Sequence, residues 1–492
     1  MSKELAQAQA AARIPDLIKI GEIPSEYGQT LTTDVIDPVT STQSSCRFTL
    51  NRVGGFLHSN SKITLGCVPL VAASFYPLNT GVGNLIKEAH LRIGNKTVCS
   101  TQDFSSLHAY HSLFLTNENN KEREQYLSQR AINHGWNYTD ASDTSAQTYS
   151  LDLGRNETKA VGGVVGTYAR NLLPFQVHDV SDADTIAAAP VYSIYLSDLF
   201  PFLQYNQIPA FMIDEEIHID LVFQDTNSNL AGVANPNESQ SRRMCVQDGL
   251  AQTSAFQIDL NELKLIYDSI SYDGEIMRQY EEQNPRLSFQ YVDYRLAKRT
   301  GTEAIFTNLT FPIGGNGRLV TKVILGAQAN ENYVSESLMN GDGVAKSGTA
   351  TLALPSPLSV NLRYNDRFEF AIDRNNTALI FHTTGAAEGQ TPFVTRNEYS
   401  TEEIPPANPA GGVTALTTGT FEGNVQNQSF SGLGGNFNWV AIKPNRNERV
   451  NNKGLDLIYK NTLPGGTYTL RCYVELLKVA TVENGLFDCY FA

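Results

Sequence analysis

EEIHIDLVF, residues 215–223, is the most regular alternating stretch of the chain: Ile217, Ile219, Leu221 and Phe223 fall on one side, Glu216, His218 and Asp220 on the other. Successive side chains of a β-strand point to opposite faces, so this pattern specifies a half-buried antiparallel strand. The same period runs outward from it. Cys46, Phe48 and Leu50 alternate with polar neighbours, as do Ile63, Leu65 and Cys67. HLRIGNKTVC (90–99) reads as a hairpin, because Gly94-Asn95 supplies the positive φ angles of a tight two-residue connection. Downstream, FQIDLNELKLIY (256–267) places Phe256, Ile258 and Leu260 in one phase and Leu263, Leu265 and Tyr267 in the other, which calls for a bulge or bend near Asn261-Glu262.

One region follows a different period. Phe104, Leu107, His111 and Phe114 recur at helical spacing, and a second helix-prone run covers Lys121 to Arg130. Strand character returns at Tyr149 to Leu153. DGEIMRQYEEQNP (273–285) is polar, helix-prone and stopped by Pro285, which marks it as a link between two units. The second unit is again β: Ile305, Thr307, Leu309 and Phe311 alternate, GGNG (314–317) turns the chain, Leu319, Thr321, Val323 and Leu325 alternate back, and Phe368, Phe370 and Ile372 form a further strand. Residues 383–436, rich in Gly, Thr, Asn and Pro, are too long for a compact connector and read as a surface excursion. The chain closes with DLIYKNTLPGGTYTLRCYVELLKVATV (456–482), read as a hairpin turning at Pro464-Gly465-Gly466. Its last strand holds Tyr468, Leu470, Cys472, Val474 and Leu476 in phase and then shifts to Leu477 and Val479, echoing the shift near 261 as a faint internal repeat.

Composition agrees with a β protein. The 492 residues are 41% hydrophobic and 18% charged, with 37 Gly and 20 Pro, and need more than one core. The expected fold is all-β: two consecutive antiparallel eight-stranded jelly-roll sandwiches with short helical insertions and long loops. The expected division is an N-terminal arm at 1–33, a first sandwich at 34–275, a helical link at 276–288 and a second sandwich at 289–492. Ile14, Leu17, Ile18 and Ile20 give the arm an apolar side suited to packing beneath its own or a neighbouring subunit.

A formal net charge of -14 excludes wholesale coating of nucleic acid, which needs Lys and Arg to neutralise phosphates. No apolar h-region opens the chain and no run of about 18 apolar residues follows, so neither a standard secretion signal nor a membrane span is expected. Cys46, Cys67, Cys99, Cys245, Cys472 and Cys489 lack CxxC spacing and read as reduced core residues. Sequons such as those at Asn95 and Asn137 read as chance products of an Asn- and Thr-rich chain.

There is no HxH or HExxH; His108 and His111 share a helix face without a carboxylate or thiol at ligand spacing. Glu215, Glu216, His218 and Asp220 hold the residue types of acid–base catalysis, yet on a strand they form a polar outer face. VGGVVG (161–166) and GLGGN (432–436) lack the GK[ST] ending of a phosphate loop. Two basic clusters stand out, Lys443, Arg446, Arg449 and Lys453 in KPNRNERVNNK, and Arg295, Lys298 and Arg299; they suit solvated loops, acidic neighbours or local contact with DNA. No catalytic residue, cofactor or metal is expected.

VYSIYLSDLFPFLQYNQIPAFMIDEEIHIDLVFQ (191–224), followed by FQIDLNELKLIYDSISYDGEIMRQYEEQ (256–283), resembles the end of the first roll in double jelly-roll major capsid proteins, above all those of virophages and Polinton-like viruses. SNSKITL (59–65) is similar to their early strand. The resemblance implies a homotrimer with a pseudo-hexagonal outline in an icosahedral DNA-virus shell, with loops 101–147 and 383–436 forming towers outside and the termini directed inward. Its implied partners are further copies of itself, minor capsid or penton proteins and, locally, packaged DNA; its location is the virion, after assembly in the infected cell. The alternatives are a β-sandwich carbohydrate-active enzyme or lectin-like binder, for which Trp136 and Trp439 are the only tryptophans available to stack on sugar, and a spike, fibre or vertex protein, for which fibre repeats are lacking.

Overall fold

Period-two burial organises the first half of the computed structural model, which describes residues 29–50, 54–69, 74–75, 81–112, 114, 127–128, 147–152, 155–160, 191–224, 245–246, 256–329, 344–347, 350–353, 359–373, 377–389, 439–444, 448–461 and 467–492. Its main strands are β1 (Gln29–Ile36), β2 (Ser45–Leu50), β3 (Lys62–Leu65), β4 (Ile86–Ile93), β5 (Lys96–Gln102), β6 (Tyr192–Tyr195), β7 (Ile217–Phe223) and β8 (Lys264–Tyr272). β7 lies between β2 and β4 in one sheet, with β5 outside β4. The other sheet is built on β8, with β1 on one side, β3 on the other and β6 outside β3. Ile217, Ile219, Leu221 and Phe223 point inward from β7 and meet Ile63, Leu65 and Leu265 of the facing sheet in one core. Residues 29–33, read from sequence as arm, therefore belong to a strand registered against β8, Gln29 opposite Tyr272.

Between β4 and β5 the connection is the two-residue turn Gly94-Asn95. Only Gly94 takes a positive φ, 54°, the sign pattern of a type II′ turn and not the doubly positive one expected. The phase change near 261 is present: Phe256–Ile258 pairs with Cys67–Pro69 and β8 with β3, while residues 259–263 break the strand between them. Ile258 is buried before the break and Leu263 and Leu265 after it. Helix α1 (Phe104–Ser112) follows β5, and of the run 121–130 only 127–128 are described, as helical. Helix α2 (Gly274–Gln283) starts where the Asp273 carboxylate accepts the Glu275 N–H, 3.0 Å, and ends before Pro285.

The second half is arranged around β9 (Arg286–Thr302), β10 (Leu309–Pro312), β11 (Val320–Ala329), β12 (Ser359–Tyr364), β13 (Arg367–Asp373), helix α3 (Thr377–Glu388), β14 (Trp439–Ile442), β15 (Leu455–Lys460), β16 (Thr467–Glu483) and β17 (Leu486–Phe491). One sheet has the order β9-β16-β11-β14 with β17 added to β16, and the other β10-β15-β12-β13. These pairings overturn one reading. β15 and β16 are not a hairpin, since they lie in opposite sheets, and β10 and β11 are likewise separated across the GGNG turn. Alternation shows that a strand has one buried face but is silent about which strand it bonds to. The strand expected from Ile305 begins at Leu309, because 303–306 form a helical turn that buries Phe306. β13 forms as read, with Phe368 turned outward at 65% exposure. Residues 383–388 of the expected excursion are helical and pack on β14, where the buried Thr384 hydroxyl accepts the Ala441 N–H.

The shift expected at Leu477 and Val479 is absent. Lys478, Ala480 and Val482 are buried and keep the phase of Leu476, while Leu477 and Val479 are only half-buried. A lysine stands where an apolar residue was sought, and it has buried partners.

β9 and β16 pair over seventeen consecutive residues, Arg286 with Glu483 through Thr302 with Thr467. At about 3.4 Å per residue this ribbon is roughly 55 Å long, and it serves both cores. Leu287, Phe289, Tyr291, Ala480 and Val482 pack into the first, and Leu470, Cys472, Val474 and Leu476 into the second. In return α1 sends Leu107 and Tyr110 into the second core. Trp439 fills the space above Gly326, where a Cβ would stand 2.5 Å from the indole. Gly326→Ala is therefore expected to cost about 1–3 kcal/mol through overpacking, seen as a lower melting temperature with reduced Trp439 burial by fluorescence.

Candidate functional site

The carboxylates that could have done acid–base work are committed elsewhere. Asp220 on β7 is buried, with Arg47 Nε at 2.5 Å from β2 and Arg92 Nε at 3.6 Å from β4. Glu215 accepts the Phe487 N–H at 2.9 Å and so ties β17 to the first half. His218 Nδ1 lies 3.1 Å from the Thr49 hydroxyl, and its Nε2 3.5 Å from Glu216. Arg47, Asp220 and Arg92 form a cross-strand set of opposite charges, which stabilises a sheet face. His108 is buried and stacked on Phe104, with ring centroids 4.9 Å apart, while His111 meets the edge of Tyr294; both act in packing. Among the described residues no group of three His, Cys, Asp or Glu is placed to hold a metal, and no helix is long and apolar enough to cross a membrane. The glycine stretches at 161–166 and 432–436 lie outside the described residues.

Burial pushes the Cys46 thiol up to about 12 and those of Cys99 and Cys472 higher still, so these free cysteines stay protonated within the cores. The side chains of Cys67 and Cys245 lie outside the described residues.

The most strongly built polar arrangement joins the two halves. Arg471 of β16, 1% exposed, reaches Asp103 at the end of β5 with Nε–Oδ2 2.5 Å, and Tyr473 donates its hydroxyl to the Asp103 carbonyl at 2.9 Å. Asp103 holds φ 52°, a conformation tolerated best by Gly, Asn and Asp. Further along the ribbon Lys478 Nζ donates to Val98 O at 2.7 Å, Thr97 O at 3.1 Å and Asp293 Oδ2 at 3.0 Å, while the Ser100 N–H donates to Asp293 Oδ1 at 3.1 Å. Burial raises the Asp293 pKa, and Lys478 with the Ser100 and Tyr294 N–H groups lowers it only part of the way back. A third group places Lys322 Nζ 3.0 Å from both Glu388 and Glu475, with the Tyr110 hydroxyl on Glu388 and that of Tyr294 on Glu475. Burial opposes the Lys322 charge, but the two glutamates outweigh it and raise its pKa. Each charge is matched by partners from another element, which fixes how β5, α1 and α3 seat on β9, β11 and β16.

The arm residues Ile14, Leu17, Ile18 and Ile20 lie outside the described residues. What is described after them is an apolar, outward-facing edge: Leu31, Val35 and Val39 are 62%, 59% and 65% exposed. Of the basic residues, Lys443 and Arg449 are exposed, Lys453 Nζ is 2.8 Å from Asp366, and Arg446 lies outside the described residues. The two sequence clusters approach each other: the Val450 N–H donates to Arg318 O at 2.9 Å, and Arg295 lies against Gly314 of the same turn. Arg318 was missed, being a lone arginine after a glycine turn. Lys298 and Arg299 stand further along β9, opposite Arg471 and Leu470.

No family model matches the chain, and no curated protein matches it. Solved structures do. The chain superposes on the quasi-atomic model of the PBCV-1 virus capsid with a TM-score of 0.50 at 9% identity, covering 95% of this chain and 97% of that one. It superposes on the cryo-EM structure of the Sputnik virophage with a TM-score of 0.50 at 11% identity, over 94% of this chain and 89% of that one. The likeness is one of fold, the double jelly roll, and it runs through both sandwiches.

Proposed function

We propose that this double jelly-roll chain is a major capsid protein, which assembles with copies of itself into the shell of a DNA virus or virophage. The observation that carries the reading is the end-to-end likeness to two virus shells, with both sandwiches matched in one chain. Fold alone does not assign function, but the polar seam adds a second argument. Two sandwiches locked by buried ion pairs make one rigid block, which suits a lattice unit. In the finer reading the chain forms a homotrimer of pseudo-hexagonal outline, six sandwiches in all, which meets minor capsid or penton proteins in a virion assembled in the host cell. The arm with Ile14, Leu17, Ile18 and Ile20 and the β1 edge with Leu31 and Val35 serve contacts beneath or between subunits, and the basic residues Lys443, Arg446, Arg449 and Lys453 face neighbouring subunits or the shell interior. The carbohydrate-active or lectin-like alternative is weaker, because Asp220 is neutralised by two arginines and Trp439 is buried in the second core.

Negative-stain microscopy of the purified protein, alone and under assembly conditions, tests this. Flat pseudo-hexagonal particles and closed shells are expected; small monomeric globules under all conditions would overturn it.

A further inference from the structure

β11 runs from Val320 to Ala329 and β14 antiparallel to it, Val323 opposite Ile442 and Gly326 opposite Trp439. The chain beyond Ala329 and the chain before Trp439 therefore leave at one end of the second sandwich. At the other end lie the GGNG turn, residues 448–454 and the Asn365-Asp366 turn, which hydrogen bonds draw together: Gly317 N to Val450 O at 2.7 Å, Val450 N to Arg318 O at 2.9 Å and Asn365 N to Gly454 O at 3.1 Å. Ala329, at the end of β11, and Trp439, at the start of β14, thus lie opposite this end.

Arginines collect here. The Arg318 guanidinium lies over the Phe491 ring, its carbon 3.8 Å from the centroid, and Arg318 is half-exposed. Arg295 packs against Gly314, its guanidinium carbon 3.6 Å from where a Cβ would be. Arg449 is exposed beside Val450. The nearby carboxylates are already taken: Asp366 by Lys453 at 2.8 Å, Asp456 by Arg363, Asp293 by Lys478, and Glu448 accepts from Asn365. Arg295, Arg318 and Arg449 make no ion pair among the described residues. Burial, and after it the neighbouring Arg295 charge, hold Arg318 below its usual pKa, with Asp293 acting in the opposite direction.

In a protein of net charge -14, unpaired arginines gathered on one turn are a local reversal of sign. The planar guanidinium edge matches phosphate oxygens better than it matches water. We infer that Arg295, Arg318 and Arg449, around the GGNG turn, bind the phosphodiester backbone of nucleic acid. The inference rests on the capsid reading, and it assigns the side that faces the shell interior to this end of the second sandwich. Contact is local and sequence-independent, because a patch of three arginines reads phosphate spacing and no base edge.

The test uses the full-length protein and a short fluorescent DNA duplex, followed by anisotropy across salt concentrations. Three phosphate contacts predict a slope of log affinity against log salt of about −2.7. The triple variant Arg295→Gln, Arg318→Gln, Arg449→Gln is expected to lose at least about tenfold in affinity and most of that slope, while Arg278→Gln on α2 changes neither. Arg318→Lys, which keeps the charge, is expected to retain most of the binding; its melting temperature, with that of the triple variant, checks folding. Undiminished binding by a folded triple variant overturns the inference, as does wild-type protein that binds no duplex at low salt. Displacement of the duplex by inorganic phosphate at equal phosphate concentration overturns the polymer as ligand. A triple variant that dissociates from other copies on size-exclusion, with no DNA binding by the wild type, assigns the arginines to acidic groups of a second copy and also overturns it. Failure of the wild type to form shells sinks the capsid reading instead, and microscopy of the same samples separates the two failures.

Discussion

Asp103→Asn is expected to destabilise the folded chain by about 3–5 kcal/mol, the loss typical when one partner of a buried ion pair is removed. The substitution is nearly isosteric and asparagine tolerates the φ of 52° at this position, so the effect isolates the charge. Arg471, 1% exposed, has its Nε bonded to the lost carboxylate, and on its loss the guanidinium keeps a buried charge without that counter-ion. The measurement is the urea midpoint followed by Trp439 fluorescence, which reports on the second core although the substitution lies in the first half. Arg471→Met combined with Asp103→Asn is expected to recover much of the loss, because a buried pair replaced by apolar volume is often close to neutral. If the double variant is no more stable than Asp103→Asn, the ion pair is not what joins the halves.

Lys478→Met is expected to cost a similar amount, about 3–5 kcal/mol near neutral pH, with a pH dependence of definite sign. Asp293 loses its cation while burial still raises its pKa. A carboxyl whose folded pKa lies above its unfolded value takes up a proton on folding, so its contribution is fully present below the unfolded pKa and is lost as pH rises through the folded pKa. The penalty of Lys478→Met relative to wild type is therefore smallest in acid and grows as pH rises through the folded pKa of Asp293. Melting temperatures of both proteins across pH give the difference; a penalty that does not vary with pH would show that Asp293 does not titrate in the variant. Asp293→Asn in the Lys478→Met background is expected to flatten the profile.

These two lysine and arginine positions also explain where the sequence misled. An apparent phase shift at Leu477 arose because Lys478, a charged residue, occupies a buried position in step with Leu476 and Ala480. Its partners, Val98 O and Asp293, are separated from it by 380 and 185 positions along the chain. No local pattern reports such a partner. The hairpin read at 456–482 failed for a related reason: two alternating runs with a Pro-Gly-Gly turn between them fit a hairpin as well as a crossing between sheets, and only the cores on both sides decide. By contrast, two further local signals in the sequence are informative. LSFQY (287–291) alternates as cleanly as any strand and opens β9, and Asn484-Gly485, with φ of 52° and 78°, is a type I′ turn between β16 and β17.

The candidate site was legible only in fragments. Arg295 and Arg449 each stood out within a basic cluster, but Arg318 did not, and what unites them is a set of backbone hydrogen bonds between loops more than 100 residues apart in sequence. Charge clusters along a chain mark solvated segments; charge clusters in space need the fold.

By itself the sequence determined the alternation of EEIHIDLVF, hence a β protein with faces divided between core and solvent, the helix stopped by Pro285 between two β units, and a resemblance that placed it among double jelly rolls. Those are properties of local period and turn chemistry, which act over a few residues. The tertiary structure alone decided which strands bond to which, that the β9 and β16 ribbon feeds both cores, that charges at Asp103, Asp293, Arg471 and Lys478 lie buried across the seam, and that Arg295, Arg318 and the segment carrying Arg449 come together at one turn. Each of these depends on surfaces brought together from distant parts of the chain, where the cost of burying a charge is met by a partner that no local pattern names.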